Sequence, residues 1–405
     1  MKVLHVCYSD FDGGAAKAAN RLHQAQLKEG IDSSMLVVNK LTADKTVIPV
    51  NKMSVIRVKI ISLFSRALLS KFNDSNPVKH SLNIFPTGVG KIINKLNPDI
   101  VNLHWIGDGM MSIGEVAEIK APIVWTMHDM WTFSGCEHYD NYPELFRYQN
   151  NYAATKSIRG FDLNRYVYRL KLKKWKSKKI EFVSPSRWLG ECAAKTEITK
   201  GKKIHIIQNT IDHSVYVPVR KEIARDLLDL PFDKKIILFG SMASTTDTRK
   251  GFSLLDGAIK YLSDKYSPDY ALVVFGADKQ PPAQKYGFDI YNLGVFKDEL
   301  SLRLLYSATD VYVAPSLQDN LPNTIVESFA VGTPCIAFRI GGMPDLLNDS
   351  KMGELVEETN SEGLGEAIKK VLDADAEHEY IRKKSLDMRA ERHIVSQYKM
   401  VYSNV

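Results

Sequence analysis

Short apolar runs alternate with longer amphipathic stretches almost from end to end of this chain. Lys2–Cys7, Met35–Val38, Ile100–Leu103, Ile123–Met127, Phe182–Ser184 and His205–Ile207 form a first series. Ile236–Phe239, Leu272–Phe275, Tyr291–Leu293, Val311–Ala314, Cys335–Phe338 and Glu354–Val356 form a second. Runs this short, bounded by Gly, Pro and Asp, read as strands buried on both faces, and the helical patterns between them supply the crossovers that parallel strands need. Two such series predict an α/β protein of two doubly wound parallel-sheet domains. Thr210–Lys235 is polar, holds Pro218 and Pro231 and reads as the linker, so the expected domains are 1–210 and 211–386.

Composition narrows the class of protein. A chain of 405 residues is too long for one small binding module, and 44% apolar with 25% charged residues is normal for buried cores. The four cysteines, Cys7, Cys136, Cys192 and Cys335, lie far apart with no Cys-x-x-Cys spacing, which argues against a disulfide framework or structural zinc and for a reducing cytoplasm. No apolar run approaches the length of a spanning helix, and Met1–Cys7 is too short for a signal peptide. The mild excess of 54 Lys and Arg over 47 Asp and Glu, +7, fits nucleic acid, anionic lipid, a phosphorylated substrate or no charged partner at all. Two segments concentrate it. Met53–Phe72 reads as a basic amphipathic helix of the kind that lies in a membrane interface. Lys156–Lys179, with Arg159, Arg165, Arg169, Lys171, Lys173, Lys174, Lys176 and Lys178, is either a solvated helix face or a contact surface for phosphates of a lipid or an acceptor.

Several motifs sit at strand ends. Asp10-Phe11-Asp12-Gly13-Gly14 follows the first strand and opens an alanine-rich helix, which makes either an ordinary tight turn or an anion site of backbone N–H groups. Trp125-Thr126-Met127-His128-Asp129-Met130-Trp131 ends a strand in a His-Asp pair, with His104 on the preceding strand end. His128 either meets a ligand beyond the strand ends or caps the next helix, and Trp125, Trp131 and Phe133 would offer flat faces to sugar rings. Cys136 and His138 lack further ligands at metal spacing. In the second half, Arg249-Lys250-Gly251 is a cationic clamp ahead of a helix. Pro322 suits a first helical turn, which places Asp319 before the helix, Glu327 along its side, and the amides of Asn323 and Thr324 toward an anion.

Asp319 and Glu327 have the spacing of the acidic pair in the Glu-x7-Glu signature of retaining family 4 glycosyltransferases of GT-B fold. Ala314–Gly342 resembles that family at its Pro-Ser, acidic pair, Gly-Thr-Pro and Gly-Gly landmarks. Gly13-Gly14, His128-Asp129, Val183–Ser186, Asn209–Asp212 and Lys250-Gly251 extend the resemblance over most of the chain, with wording similar to bacterial exopolysaccharide enzymes of the colanic-acid type. The resemblance implies two Rossmann-like domains facing across a cleft, with a last helix at about 387–405 crossing back onto the first. It implies a nucleoside diphosphate sugar donor (UDP-, GDP- or another NDP-sugar) bound by the second domain, no cofactor and no metal. Glu327 would hold the ribose. Asp319, with Asn320 and Leu321 beside it, would contact the transferred sugar. Lys250 and Arg249 would neutralise the diphosphate, Gly14 would let a helix approach it, and His128 would line the cleft. Phe275-Gly276 and Val295-Phe296 would frame the base. Departures are Asp319 for Glu, Pro322 for Gly, and Gly240-Ser241 where Gly-Arg is usual.

The expected activity is therefore retaining sugar transfer to a saccharide acceptor, lipid-linked, in bacterial surface polysaccharide synthesis, from the cytoplasm and peripheral to an anionic membrane. The alternatives are a sugar-nucleotide epimerase or hydrolase of the same fold, and a non-catalytic basic binding protein; no nucleic-acid module supports the latter as a DNA or RNA binder.

Overall fold

The computed structural model describes residues 1–405 apart from 73–75, 141–145, 154–160, 241–246, 267–268, 277–282 and 297. The chain forms two units, residues 1–209 with 394–405, and residues 210–393.

Unit 1 is built on β1 (Lys2–Ser9), β2 (Asp32–Asn39), β3 (Val47–Pro49), β4 (Ile100–Leu103), β5 (Ile123–Thr126), β6 (Ile180–Ser184) and β7 (Ile204–Ile206). They pair in the order β3-β2-β1-β4-β5-β6-β7, every neighbour parallel. Successive side chains of a strand point to opposite faces, so each strand feeds two cores. Leu4, Val6, Val101, Leu103, Ile123 and Trp125 fill one. Val3, Ile100, Val124 and Val183 fill the other, under Leu22 and Ala25 of the helix Gly14–Lys28 and Ile394, Val395, Tyr398 and Tyr402 of the helix Glu391–Ser403.

Unit 2 repeats the plan with β8 (Lys235–Gly240), β9 (Tyr270–Phe275), β10 (Gln284–Lys285), β11 (Phe288–Asn292), β12 (Val311–Ala314), β13 (Cys335–Phe338) and β14 (Gly353–Val356). The order is β10-β11-β9-β8-β12-β13-β14, parallel except for the antiparallel β10–β11 pair. Both sheets have a switch point, between β1 and β4 and between β8 and β12, where strand order reverses and successive crossovers leave by opposite faces.

Two details differ from the sequence reading. β3 and β10 had no counterpart there: both are edge strands of two or three residues, β3 a very short apolar stretch (Val47-Ile48-Pro49) and β10 the polar pair Gln284-Lys285. The expected final helix from about 387 is broken. The helix His378–Arg389 ends at Ala390, which is extended (φ −53°, ψ 135°), and Glu391–Ser403 begins anew. Arg389 is buried in unit 2 and Ile394 in unit 1, so the two halves of the stretch serve different cores. Among the described residues no helix is long and apolar enough to cross a membrane.

Candidate functional site

In unit 2, four of the residues singled out by sequence, Lys250, Asp319, Pro322 and Thr324, come together at the β8/β12 switch point. A pocket there is lined by Phe239 and Gly240 from the end of β8, Tyr312, Ala314, Pro315 and Ser316 from β12 and its exit, and Lys250, Asp319, Pro322 and Thr324. Lys250 and Asp319 face each other in it, Nζ to Oδ2 2.7 Å. The pocket beside the ion pair is open on one side, and its enclosed part, about 10 Å³, has room for about one water.

The backbone is shaped to bring these groups together. Gly251 has φ +70°, and a Cβ on it would fall 1.9 Å from the Pro315 carbonyl oxygen. Only glycine lets the loop after Lys250 lie against the exit of β12. The Leu317 N–H donates to the Arg249 carbonyl at 2.7 Å across the same seam. Gly341, φ +59°, likewise presses on the Asp319 carbonyl, which accepts the Gly342 N–H at 3.1 Å. Gly251 and the Gly341-Gly342 pair thus fix the loops that carry Lys250 and Asp319.

The helix Asn323–Ala330 starts one residue later than expected, with Pro322 as its N-cap and no side-chain cap, so Asn323 and Thr324 supply its first amides. Thr324 lines the pocket; Asn320 and Leu321 are buried behind it. Glu327 does not line it. It is 2% exposed, and its Oε2 accepts the Tyr306 hydroxyl at 2.9 Å. Arg249 is tied to Asp247, Nη2 to Oδ2 2.6 Å, and is not among the lining residues. Ser241, the departure after β8, lies outside the described residues. Beside the pocket residue Tyr312, a row of rings runs through Tyr306 and Phe275 to Phe296, with centroids 5.8, 6.1 and 6.4 Å apart.

In unit 1, Gly13 (φ +95°) is the N-cap of Gly14–Lys28, with no side-chain cap and no acidic residue in the first turn. Nothing lies within 4 Å of where its Cβ would be, so the glycine serves the dihedral angle and an open approach. His128 stands two residues beyond β5 and is half-buried. Its Nε2 is 3.0 Å from Nδ1 of the buried His104.

The aromatic residues near His128 are not sugar platforms: Trp125, Trp131 and Phe133 are 1%, 3% and 0% exposed and belong to the core. Asp129 turns away from His128. Its Oδ2 lies 2.5 Å from His138 Nδ1 and accepts the Trp105 indole N–H at 2.9 Å. Burial would raise the Asp129 carboxyl, but the His138 ring holds it below the ordinary range. His138 Nε2 is 2.8 Å from the Ser81 hydroxyl. This serine–histidine–aspartate row has the geometry of a nucleophilic triad, yet Ser81 is buried and its oxygen receives the Asp108 N–H, so its work is to fix the loop after β5. Nothing in the sequence spacing announced it.

The basic run also needs correction. Lys171 is fully buried, and its ammonium donates to the carbonyls of Trp131, Ser134 and Gly135; burial lowers it to about 7. It ties the loop after β5 and is no part of a charged surface, whereas Arg169, Lys173, Lys174, Lys176 and Lys179 are exposed. Lys156 and Arg159 lie outside the described residues.

Residues 233–374, within unit 2 and around this pocket, match the family model described as "Glycosyl transferases group 1". Over 379 residues the chain is 24% identical to the Escherichia coli colanic acid biosynthesis glycosyl transferase WcaC, covering 84% of this chain and 83% of that one. The sucrose-phosphate synthase of Thermosynechococcus elongatus superposes with a TM-score of 0.67 at 17% identity, over 100% of this chain and 99% of that one. Anabaena HepE, solved with UDP-glucose, superposes with a TM-score of 0.64 at 16% identity over the whole of both chains. The structural neighbours are GT-B glycosyltransferases, and the two Rossmann-like sheets are of that fold.

Two outcomes follow from this geometry. Asp319→Asn removes the charge that holds Lys250, so a nucleoside diphosphate should bind about two- to fivefold more tightly, the range a partly exposed ion pair supports; isothermal titration reads it. The second concerns acid. His5, His23 and His104 are buried, and burial lowers His5 to about 3, His23 to about 4 and His104 well below its ordinary value. Below pH 6.5 the unfolded chain takes up protons that these folded-state imidazoles refuse, so stability must fall as pH drops from 6.5 toward 4. All five tryptophans, Trp105, Trp125, Trp131, Trp175 and Trp188, are in unit 1. The urea midpoint by tryptophan fluorescence should therefore fall steadily across that window.

Proposed function

We propose that this protein transfers a sugar, with retention of anomeric configuration, from a nucleoside diphosphate sugar to a lipid-linked saccharide in bacterial surface polysaccharide synthesis. The observation that carries the reading is the Lys250–Asp319 pair in the pocket at the β8/β12 switch point, inside the stretch that matches the group 1 model. A diphosphate offers Lys250 a stronger partner than Asp319 and releases the carboxylate for sugar hydroxyls. The amides of Asn323 and Thr324, at an uncapped helix N-terminus, suit the same phosphates. As the bond from the anomeric carbon to the phosphate oxygen breaks, charge grows on the leaving diphosphate, and Lys250 and these amides would stabilise it; no metal is required by this account. The acceptor hydroxyl attacks from the same face and its proton passes to the leaving phosphate oxygen, so no side-chain base is needed. The polysaccharide setting is supported by the name of WcaC, and the donor class by the UDP-glucose in HepE.

The lipid-linked acceptor is supported by the helix Lys52–Leu69, which is inverted relative to an ordinary surface helix. Ser54, Val58, Ser62 and Ser65 are its buried residues, while Met53, Ile56, Ile60, Leu63 and Phe64 are each more than half exposed. At about 100° per residue these five fall within one arc of about 100°. Arg57 flanks the arc on one side and Lys52, Lys59 and Arg66 on the other. An apolar stripe edged by cations fits an anionic membrane face.

Transfer is tested by release of nucleoside diphosphate from a donor with and without a saccharide acceptor. Lys250→Ala should cost about 10²- to 10³-fold in rate with an unchanged fold, the scale of losing one preorganised stabiliser of leaving-group charge. Full transfer by this variant would remove the site assignment, and equal turnover without acceptor would point to a hydrolase. For the membrane, the chain should sediment with vesicles containing anionic lipid, and Ile60→Glu/Phe64→Glu should abolish sedimentation; equal binding to neutral vesicles would overturn the electrostatic part.

A further inference from the structure

Arg389 closes the helix His378–Arg389 and is 0% exposed. Among the described residues its Nε, Nη1 and Nη2 have no hydrogen-bond partner. Two other arginines of the same unit show what engagement looks like. Arg225, also buried, donates to the carbonyls of Ala308, Pro231, Phe232 and Lys234 and to the Asp310 carboxylate. Arg382, half-buried and two turns before Arg389, donates to the carbonyls of His213, Tyr216 and Ala330. Residues two turns apart share a helix face. Arg389 lies on the face of Arg382, is buried more deeply, and spends none of its donors.

The chain supplies no counter-charge there. Burial lowers Arg389 to about 10, which leaves the guanidinium charged at neutral pH. The titratable group that acts on it is the thiol of Cys335, at the start of β13, and burial pushes that thiol up and keeps it protonated. His213 feels both arginines: burial first, and then the charges of Arg382 and Arg389, lower it to about 4, so it is neutral as well. Its Nε2 lies 3.2 Å from the hydroxyl of Ser385, one turn before Arg389. The carboxylate of the adjoining Asp212 accepts the N–H of Ser214 at 2.9 Å and its hydroxyl at 2.5 Å. A charge taken out of water without a partner is among the most costly features a fold can carry, and folded proteins keep such charges paired.

We propose that unit 2 binds a halide ion, chloride in ordinary solution, on the Arg389 guanidinium. One unspent guanidinium calls for one negative charge. A phosphate or sulfate would bring more charge and several oxygens to satisfy, while the Arg382 donors named above are taken by carbonyls and His213 is uncharged. A halide accepts N–H groups from any direction and brings no further group that needs a partner. Because Arg389 has no contact with solvent, the ion is held within the fold and exchanges only when this part of unit 2 opens. The place matters to the course of the chain. Thr210, the first residue of unit 2, donates its hydroxyl to the Arg389 carbonyl at 3.1 Å. The helix ends at Ala390, and unit 1 resumes at Ile394. The ion therefore pins the residue at which the entry of the chain into unit 2 is tied to its exit. This site is independent of the transfer reading.

The test is urea unfolding of the full-length chain, followed by far-ultraviolet circular dichroism, with chloride exchanged for gluconate at constant ionic strength. A ligand that binds the folded chain alone stabilises it, so the folded-to-unfolded ratio should rise about tenfold for each tenfold rise in chloride beyond half-filling. A wild-type midpoint indifferent to the exchange would overturn the proposal. Arg389→Met removes the charge at similar length, and its midpoint should not respond to chloride. A response equal to that of the wild type would mark a general salt effect and would also overturn it. Should Arg389→Met not fold, crystals of the wild type grown in bromide decide the matter: an anomalous peak should stand against the Arg389 nitrogens, and its absence defeats the assignment.

Discussion

A parallel strand cannot turn back on itself. It must be followed by a crossover, and where successive crossovers depart to opposite faces of a sheet, two adjacent strand ends are left uncovered. Everything of chemical interest here gathers at two such places. At β8/β12 the strand ends deliver Gly240 and Pro315-Ser316 to a pocket, and the flanking loops bring in Lys250 and Asp319. Around β1/β4 they deliver the Gly13-Gly14 turn and His104, with His128 one strand further. The side chains supply charge and hydrogen bonds, but the sheet order decides where they can meet anything.

At the β8/β12 pocket two opposite charges meet. The Lys250–Asp319 pair satisfies two charges that the empty pocket could not leave bare, and the glycines at 251 and 341 bring the backbones close enough for the pair to form. Such an arrangement keeps the residues preorganised without exposing an uncompensated cation to solvent anions.

How much of this could be read beforehand depended on what each residue's pattern encodes. Strands buried on both faces must be apolar throughout, and so Val311–Ala314 and Ile123–Thr126 announced themselves. Val47–Pro49 and Gln284–Lys285, at sheet edges, had no such obligation. Lys250, Asp319 and Thr324 were legible because glycine and proline punctuate the loops that carry them. The direction of a side chain was not. Trp125, Trp131 and Phe133 have the composition of a sugar platform and the position of a core. Lys171 sits in a run of cations, yet its ammonium is consumed by three carbonyls. Long-range partners were equally hidden: no local pattern links Gln26 to Tyr402 or Ser81 to His138, because those contacts exist only once the sheet has set their strands and helices side by side.

Unit 1 is interrupted in sequence by unit 2, and this has a consequence for how the molecule is made. A ribosome completes residues 1–209 and then spends on the order of ten seconds or more translating the next domain before residues 394–405 emerge. Through that interval Val3, Ile100, Val124 and Val183 lack the cover that Ile394, Tyr398 and Tyr402 will provide. The nascent chain thus carries a half-roofed sheet, a natural client for a chaperone, and unit 1 receives its last buried layer only after translation has passed through unit 2.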